Sequence, residues 1–153
     1  MIQQILVKKF GNPLKDTDSF EDKYMVLWLV PTDIKTAIPV LPEKIYCNQL
    51  LTKPLQEALR SVMKQNLITE IKAWDGCFNP RAVRGEPNII SMHAFGLAID
   101  LDADENELNS SKTTFSPAFI ECFENAGFVW GGDFKRHDPM HFEFHPKMDE
   151  QWV

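Results

Sequence analysis

The sequence predicts an α+β domain in which a small antiparallel sheet is flanked by helices. Three observations carry that expectation. Gly96 to Asp102 alternates as a strand does, with Leu97, Ile99 and Leu101 on one face and Ala98, Asp100 and Asp102 on the other. Met140 to Phe144 alternates in the same way and sets His141, Glu143 and His145 opposite Phe142 and Phe144. Two segments of helical spacing carry local start and stop signals, one after Thr52 and one after Ser116. The 153 residues suit one domain with a real core, spanning 1–153.

Taken in order, Ile2 to Val7 and Tyr24 to Val30 read as short strands, separated by Gly11-Asn12-Pro13 and by Asp16 to Ser19 as turn or loop. Pro31, Pro39 and Pro42 punctuate the segment after Val30. Residues 1–49 hold no catalytic pattern and read as scaffold or a flap on the substrate side. A helix is expected from about Lys53 to Gln65, with Thr52 as N-cap, Pro54 in the first turn, and Leu55, Ala58, Leu59, Val62 and Met63 as its apolar stripe. Leu67 to Trp74 reads as a strand entering a turn at Asp75 to Arg81, and Arg84 follows in a loop. Ser116 caps a second helix that starts at Pro117, buries Phe119, Ile120, Phe123 and Ala126, and stops at Gly127. Phe128 to Trp130 is a strand broken by Gly131-Gly132-Asp133.

Composition narrows the function. Hydrophobic residues at 44% and charged residues at 25% are ordinary for a globular protein, and a net charge of −6 without a basic cluster argues against general nucleic-acid binding. No apolar run approaches membrane length, so no membrane insertion is expected. Lys8-Lys9 follow the first apolar run, the reverse of a secretory signal, so the expected product is cytoplasmic when made. Cys47, Cys77 and Cys122 are odd in number and widely spaced, which favours buried free thiols, with Cys77 close in sequence to the candidate site.

Ser91-Met92-His93-Ala94-Phe95-Gly96 places a hydroxyl and an imidazole just ahead of the Asp100 strand. His93 precedes Asp100 by seven residues, an odd separation that puts them on opposite faces unless the chain bends, and Gly96 permits a bend. Joined by His141, they form a two-histidine, one-carboxylate set, which zinc accepts in catalytic sites with a fourth position left to water. Iron also uses such a set. Asp138, three residues before His141, can serve as general base in the same pocket. His137 and His145 are available too, and spacing alone does not choose the ligands.

The run Ser91-x-His93-x-x-Gly96-x-Ala98-x-Asp100, followed by Trp130-Gly131-Gly132-Asp133-Phe134 and Asp138-x-x-His141-Phe142-Glu143, resembles the signature of a family of zinc peptidases. That family includes VanY-type D-alanyl-D-alanine carboxypeptidases, D-Ala-D-Ala dipeptidases and phage L-alanyl-D-glutamate endopeptidases. The resemblance spans residues 50–145 and implies the fold shared by these peptidases and the Hedgehog signalling domain. It implies one zinc ion per chain held by His93, Asp100 and His141, with Asp138 activating water and protonating the leaving amine. Arg81, in Cys77-x-Asn79-x-Arg81, would hold a substrate carbonyl or carboxylate and stabilise the oxyanion, with Arg84 as the alternative. Ser91 would bond substrate or orient the site, Trp130 would wall the pocket, and Glu143 would support His141 from behind. Asp at 138, where many relatives carry Glu, is similar to the phage branch. The implied function is a monomeric hydrolase of peptidoglycan stem peptides, an endolysin that reaches the wall once the membrane is opened. A D-Ala-D-Ala carboxypeptidase and a non-catalytic zinc-binding module of the same fold are the alternatives.

Overall fold

In a computed structural model, which describes residues 1–148, the apolar pattern of the chain resolves into three small antiparallel sheets and five α-helices among the described residues. The N-terminal third departs most from expectation. Ile2–Phe10 is a helix, α1, not a strand. Its buried residue is Leu6, and Ile2, Val7 and Phe10 pack beside it at helical spacing while Ile5 faces outward. Lys8 and Lys9 fall in the last turn, where the helix dipole favours cations.

The segment read as a polar loop instead opens a second helix, α2 (Thr17–Tyr24), because the Asp16 side chain accepts a hydrogen bond from the Ser19 amide and caps it. Next come β1 (Met25–Leu29), α3 (Thr32–Ala37) and β2 (Lys44–Asn48), and β1 pairs with β2 in a two-stranded sheet whose register sets Met25 opposite Asn48.

The helix expected after Thr52 is α4 (Thr52–Lys64), and it buries Pro54, Leu55, Ala58, Leu59 and Val62. Thr52 lies inside it and not at its cap, since its hydroxyl donates back to the Gln49 carbonyl at 3.0 Å. Leu67 to Trp74 is not one strand. A short 3-10 turn at Ile68–Glu70 precedes β3 (Trp74–Gly76), so Asp75 and Gly76 belong to the strand and not to the turn. The Glu70 carboxylate draws this segment away from a ladder, accepting from both the amide and the hydroxyl of Ser116.

Beyond it lie a hairpin of β4 (Ala82–Val83) and β5 (Glu86–Ile90), then β6 (Ala98–Leu101), α5 (Pro117–Glu124), β7 (Phe128–Trp130) and β8 (His141–Phe144). The main sheet runs β3-β6-β8-β7, antiparallel throughout. Ser116 caps α5 as expected, accepting from the Phe119 amide.

The register of β6 and β8 divides the sheet chemically. Ile99 faces Phe142 on one side, while Asp100 faces His141 and Ala98 faces Glu143 on the other. Helix α5 covers the apolar face, where Phe142 meets Phe123 at 4.7 Å and Phe119 at 6.1 Å between ring centroids. The polar face therefore stays free for chemistry. No helix among the described residues is long and apolar enough to cross a membrane.

Candidate active site

His93 reaches the polar face through the bend the sequence anticipates. Ser91 accepts the His93 amide on its hydroxyl and starts a 3-10 turn, Met92–Phe95, which ends at Gly96 with φ of 67°. That left-handed conformation favours glycine, and the position is also crowded: a side-chain carbon there would stand 2.7 Å from the Asn48 amide nitrogen.

His93 Nε2 lies 3.2 Å from His141 Nδ1 and 3.2 Å from an Asp100 oxygen, and the other Asp100 oxygen lies 3.3 Å from His141 Nδ1. Ligands about 2.0 Å from a tetrahedral zinc ion stand about 3.3 Å apart, so the spacing of these donors fits that geometry. The outer bonds fit as well. His93 Nδ1 donates to the Cys77 carbonyl at 2.6 Å, leaving Nε2 for the site, and His141 Nε2 donates to Glu143 at 2.8 Å, leaving Nδ1. Asp100 Oδ1 is buried without a well-formed hydrogen bond. A polar oxygen in that state suits a cation.

The electrostatics of the metal-free chain follow from this crowding. Burial opposes the charge of Asp100, yet the hydrogen bonds from His141 and His93 hold its carboxyl well below the usual range. Burial likewise opposes the charge on His141, but Asp100 and Glu143 raise it to about 10. A metal ion would displace that proton on binding. Glu143, against the effect of burial, is held down to about 2 by His141 and by His145, whose Nε2 is 2.5 Å away.

A cavity of about 850 Å³ opens over His93, Asp100 and His141, and Arg81, Arg84, Ser91 and Asp138 line it with them. Burial, then the negative charge of Asp100, pushes the Asp138 carboxyl up against the pull of His141, His93 and Arg136. Its Oδ1 is buried and without a hydrogen-bond partner, as is Arg81 Nε. The other end of the Arg81 guanidinium donates to the Ala82 carbonyl at 3.1 Å.

Trp130 is not among the lining residues; its indole donates to the Pro139 carbonyl at 2.8 Å and packs over Gly132. Gly131 lacks a side chain where the Asp138 carbonyl and His141 press in, and its own carbonyl accepts the Asp138 amide at 2.8 Å. The two glycines thus let the 130–141 loop fold tightly enough to bring Asp138 to the cavity. His137 bonds the Gly132 carbonyl, and His145 stays behind Glu143.

Sequence reasoning missed three contributors. The Cys77 carbonyl orients His93 but, as backbone, carries no residue signature. Asp102 accepts the Lys72 and Ala73 amides and ties β3 beside β6; its place on the face of Asp100 was the available signal. Met1, Ile2 and Gln3 also line the cavity, which only the long-range fold brings about.

Residues 84–144 match the family model described as D-alanyl-D-alanine carboxypeptidase. No curated protein and no solved structure matches the chain. The matched segment contains His93, Asp100, Asp138, His141 and Glu143, and it ends at the close of β8. Over the segment that carries these side chains, the chain is thus similar to the zinc D-Ala-D-Ala peptidase family of metallopeptidases.

Proposed function

We propose that this chain is an L-alanyl-D-glutamate endopeptidase of the endolysin type, cutting peptidoglycan stem peptides within the chain. The observation that carries the reading is the lining of one cavity by His93, Asp100 and His141 together with Asp138 and Arg81. A volume near 850 Å³ is large enough to take a stretch of stem peptide. Asp at position 138 supports the same branch by its resemblance to the phage enzymes.

In this reading His93 Nε2, an Asp100 oxygen and His141 Nδ1 hold zinc, and Cys77 and Glu143 fix the two ring tautomers. Bound zinc supplies a water acidified to near neutrality and polarises the scissile carbonyl. Asp138 takes the proton from the attacking water and returns it to the leaving amine. A buried carboxyl with a raised pKa suits the second half of that exchange. Arg81, which lines the cavity and whose Nε–H lacks a protein partner, would donate to the oxygen of the tetrahedral carbon. Ser91 acts by capping the His93 turn, and Trp130 by holding the Asp138 loop closed.

Mass spectrometry of products from purified stem peptides, incubated with metal-analysed protein with and without chelator, tests the proposal. Chelator-sensitive release of a peptide beginning with D-Glu is expected. Release of free D-Ala alone would assign a carboxypeptidase, and no cleavage of either substrate by zinc-loaded protein would leave a binding module.

A further inference from the structure

The matched family segment begins at residue 84, yet the turn that carries His93 is held from outside it. Asn48, the last residue of β2, is fully buried, and its amide and side chain are all hydrogen-bonded. Its amide donates to the Gly96 carbonyl at 3.0 Å, and its side-chain Nδ2 donates to the Phe95 carbonyl at 3.0 Å. Its Oδ1 accepts from the Leu50 amide at 3.0 Å, which fixes the orientation of the carboxamide. The two carbonyls at the end of the His93 turn therefore point at one residue of the N-terminal sheet.

Packing adds to these bonds. A side-chain carbon on Gly96 would meet Met25 Sδ at 2.6 Å as well as the Asn48 amide, and Met25 is the register partner of Asn48. The Phe95 ring also sits 6.1 Å from Phe20 of α2, measured between centroids. Gly96 is thus bare because the end of the β1–β2 sheet occupies the space beside it.

We infer that Asn48 is a positioning residue for the metal site, and that the β1–β2 sheet is the clamp setting His93 against Asp100 and His141. The inference rests on His93 being a metal ligand. His93 has a partner for its ring in Cys77, and its turn is tied to other segments by the Ser91 amide on the Arg81 carbonyl at 3.1 Å, the Asn79 amide on the His93 carbonyl at 3.0 Å, Cys77 Sγ on the Gly96 carbonyl at 3.7 Å, and the Asn48 pair, which alone comes from the N-terminal sheet. Loss of the Nδ2 donor leaves the Phe95 carbonyl buried without that partner and frees the turn to rotate about Gly96. Small displacements of one ligand matter because tetrahedral coordination tolerates little error in ligand placement.

The test uses the full chain loaded with cobalt(II), whose visible absorption reports coordination geometry, beside zinc affinity by competition with a chromophoric chelator. Asn48→Asp keeps the shape and the acceptor for Leu50 but opposes an oxygen to the Phe95 carbonyl; Asn48→Ala removes the contact. Either variant is expected to bind zinc at least about tenfold more weakly and to shift or weaken the cobalt bands, by analogy with outer-shell partners of metal ligands. Ser116→Ala, which removes the cap of α5, is the control; it is expected to lower the melting temperature while leaving spectrum and affinity unchanged. If Asn48→Ala does not fold, Asn48→Asp decides. Wild-type affinity and spectrum in a folded Asn48→Asp would overturn the inference, as would equal losses in the control. Failure of the wild-type chain to bind cobalt or zinc at all would instead overturn the metal-site reading.

Discussion

Replacing Gly96 by alanine tests how the site is joined to the rest of the fold. The residue sits at φ of 67°, where an alanine costs about 1–2 kcal/mol from contact between its Cβ and the backbone. The added carbon meets Met25 Sδ at 2.6 Å, the Asn48 amide nitrogen at 2.7 Å and Met25 Cε at 2.8 Å. The methionine end can swing away, but the amide is backbone held in the β1–β2 register, so overpacking adds about 1–3 kcal/mol. Alanine narrows the unfolded ensemble and returns about 0.4–1 kcal/mol. The net loss is about 3 kcal/mol, which in a domain of this size lowers the melting temperature by about 6–12 °C. The assay is thermal unfolding of metal-free protein by circular dichroism, run on Gly96→Ala, Met25→Ala and the double variant. Met25→Ala should relieve only the part owed to the thioether, leaving Gly96→Ala costly in that background. A double variant no less stable than Met25→Ala alone would refute the assignment of the Asn48 backbone as the wall.

Three further outcomes are expected. Asp138→Asn should lower stem-peptide hydrolysis by about 10²–10⁴-fold while metal content, measured by inductively coupled plasma spectrometry, stays at the wild-type level; full activity would remove Asp138 from proton transfer. Glu143→Gln weakens the acceptor for His141 Nε2, and chelator competition should show zinc affinity reduced by about 10–100-fold, with an unchanged affinity counting against its role. Burial raises the Cys47 thiol to about 12, so the folded state keeps a proton that the unfolded chain loses near pH 9. Stability from this group is therefore complete below pH 9 and declines as pH rises toward 12, by about 1.4 kcal/mol per pH unit, and urea titrations at pH 8, 9.5 and 11 should show the fall. A flat profile would mean that Cys47 ionises freely.

The candidate ligands were legible because their positions are set by short-range rules. Alternation along β6 and β8 assigns Asp100, His141 and Glu143 to one kind of face, and Gly96 marks the bend that carries His93 onto it. Helix α5 closes at Glu124, ahead of the expected stop at Gly127, but its start was legible for the same reason, since Ser116 and Pro117 encode it locally. Helix α1 was not. Ile2 to Val7, with Gln3 and Gln4 inside it, is too short for period to separate helix from strand, and burial of Leu6 against the core settles it. Asp16 and Ser19 satisfy turn and cap patterns equally, so α2 depended on Phe20 finding the core.

By itself, then, the sequence determined the class of fold, the strand faces and a short list of residues able to hold a metal, because each follows from side-chain chemistry at spacings of a few residues. Only the tertiary structure decided which of four histidines converge and which backbone groups hold them. The Cys77 carbonyl lies sixteen residues from His93, and Asn48 lies forty-seven residues from Phe95. Backbone carbonyls are common to every residue, and contacts at such separations form only when the whole core packs. That is why the grip on His93 could be seen in the fold and not in the chain.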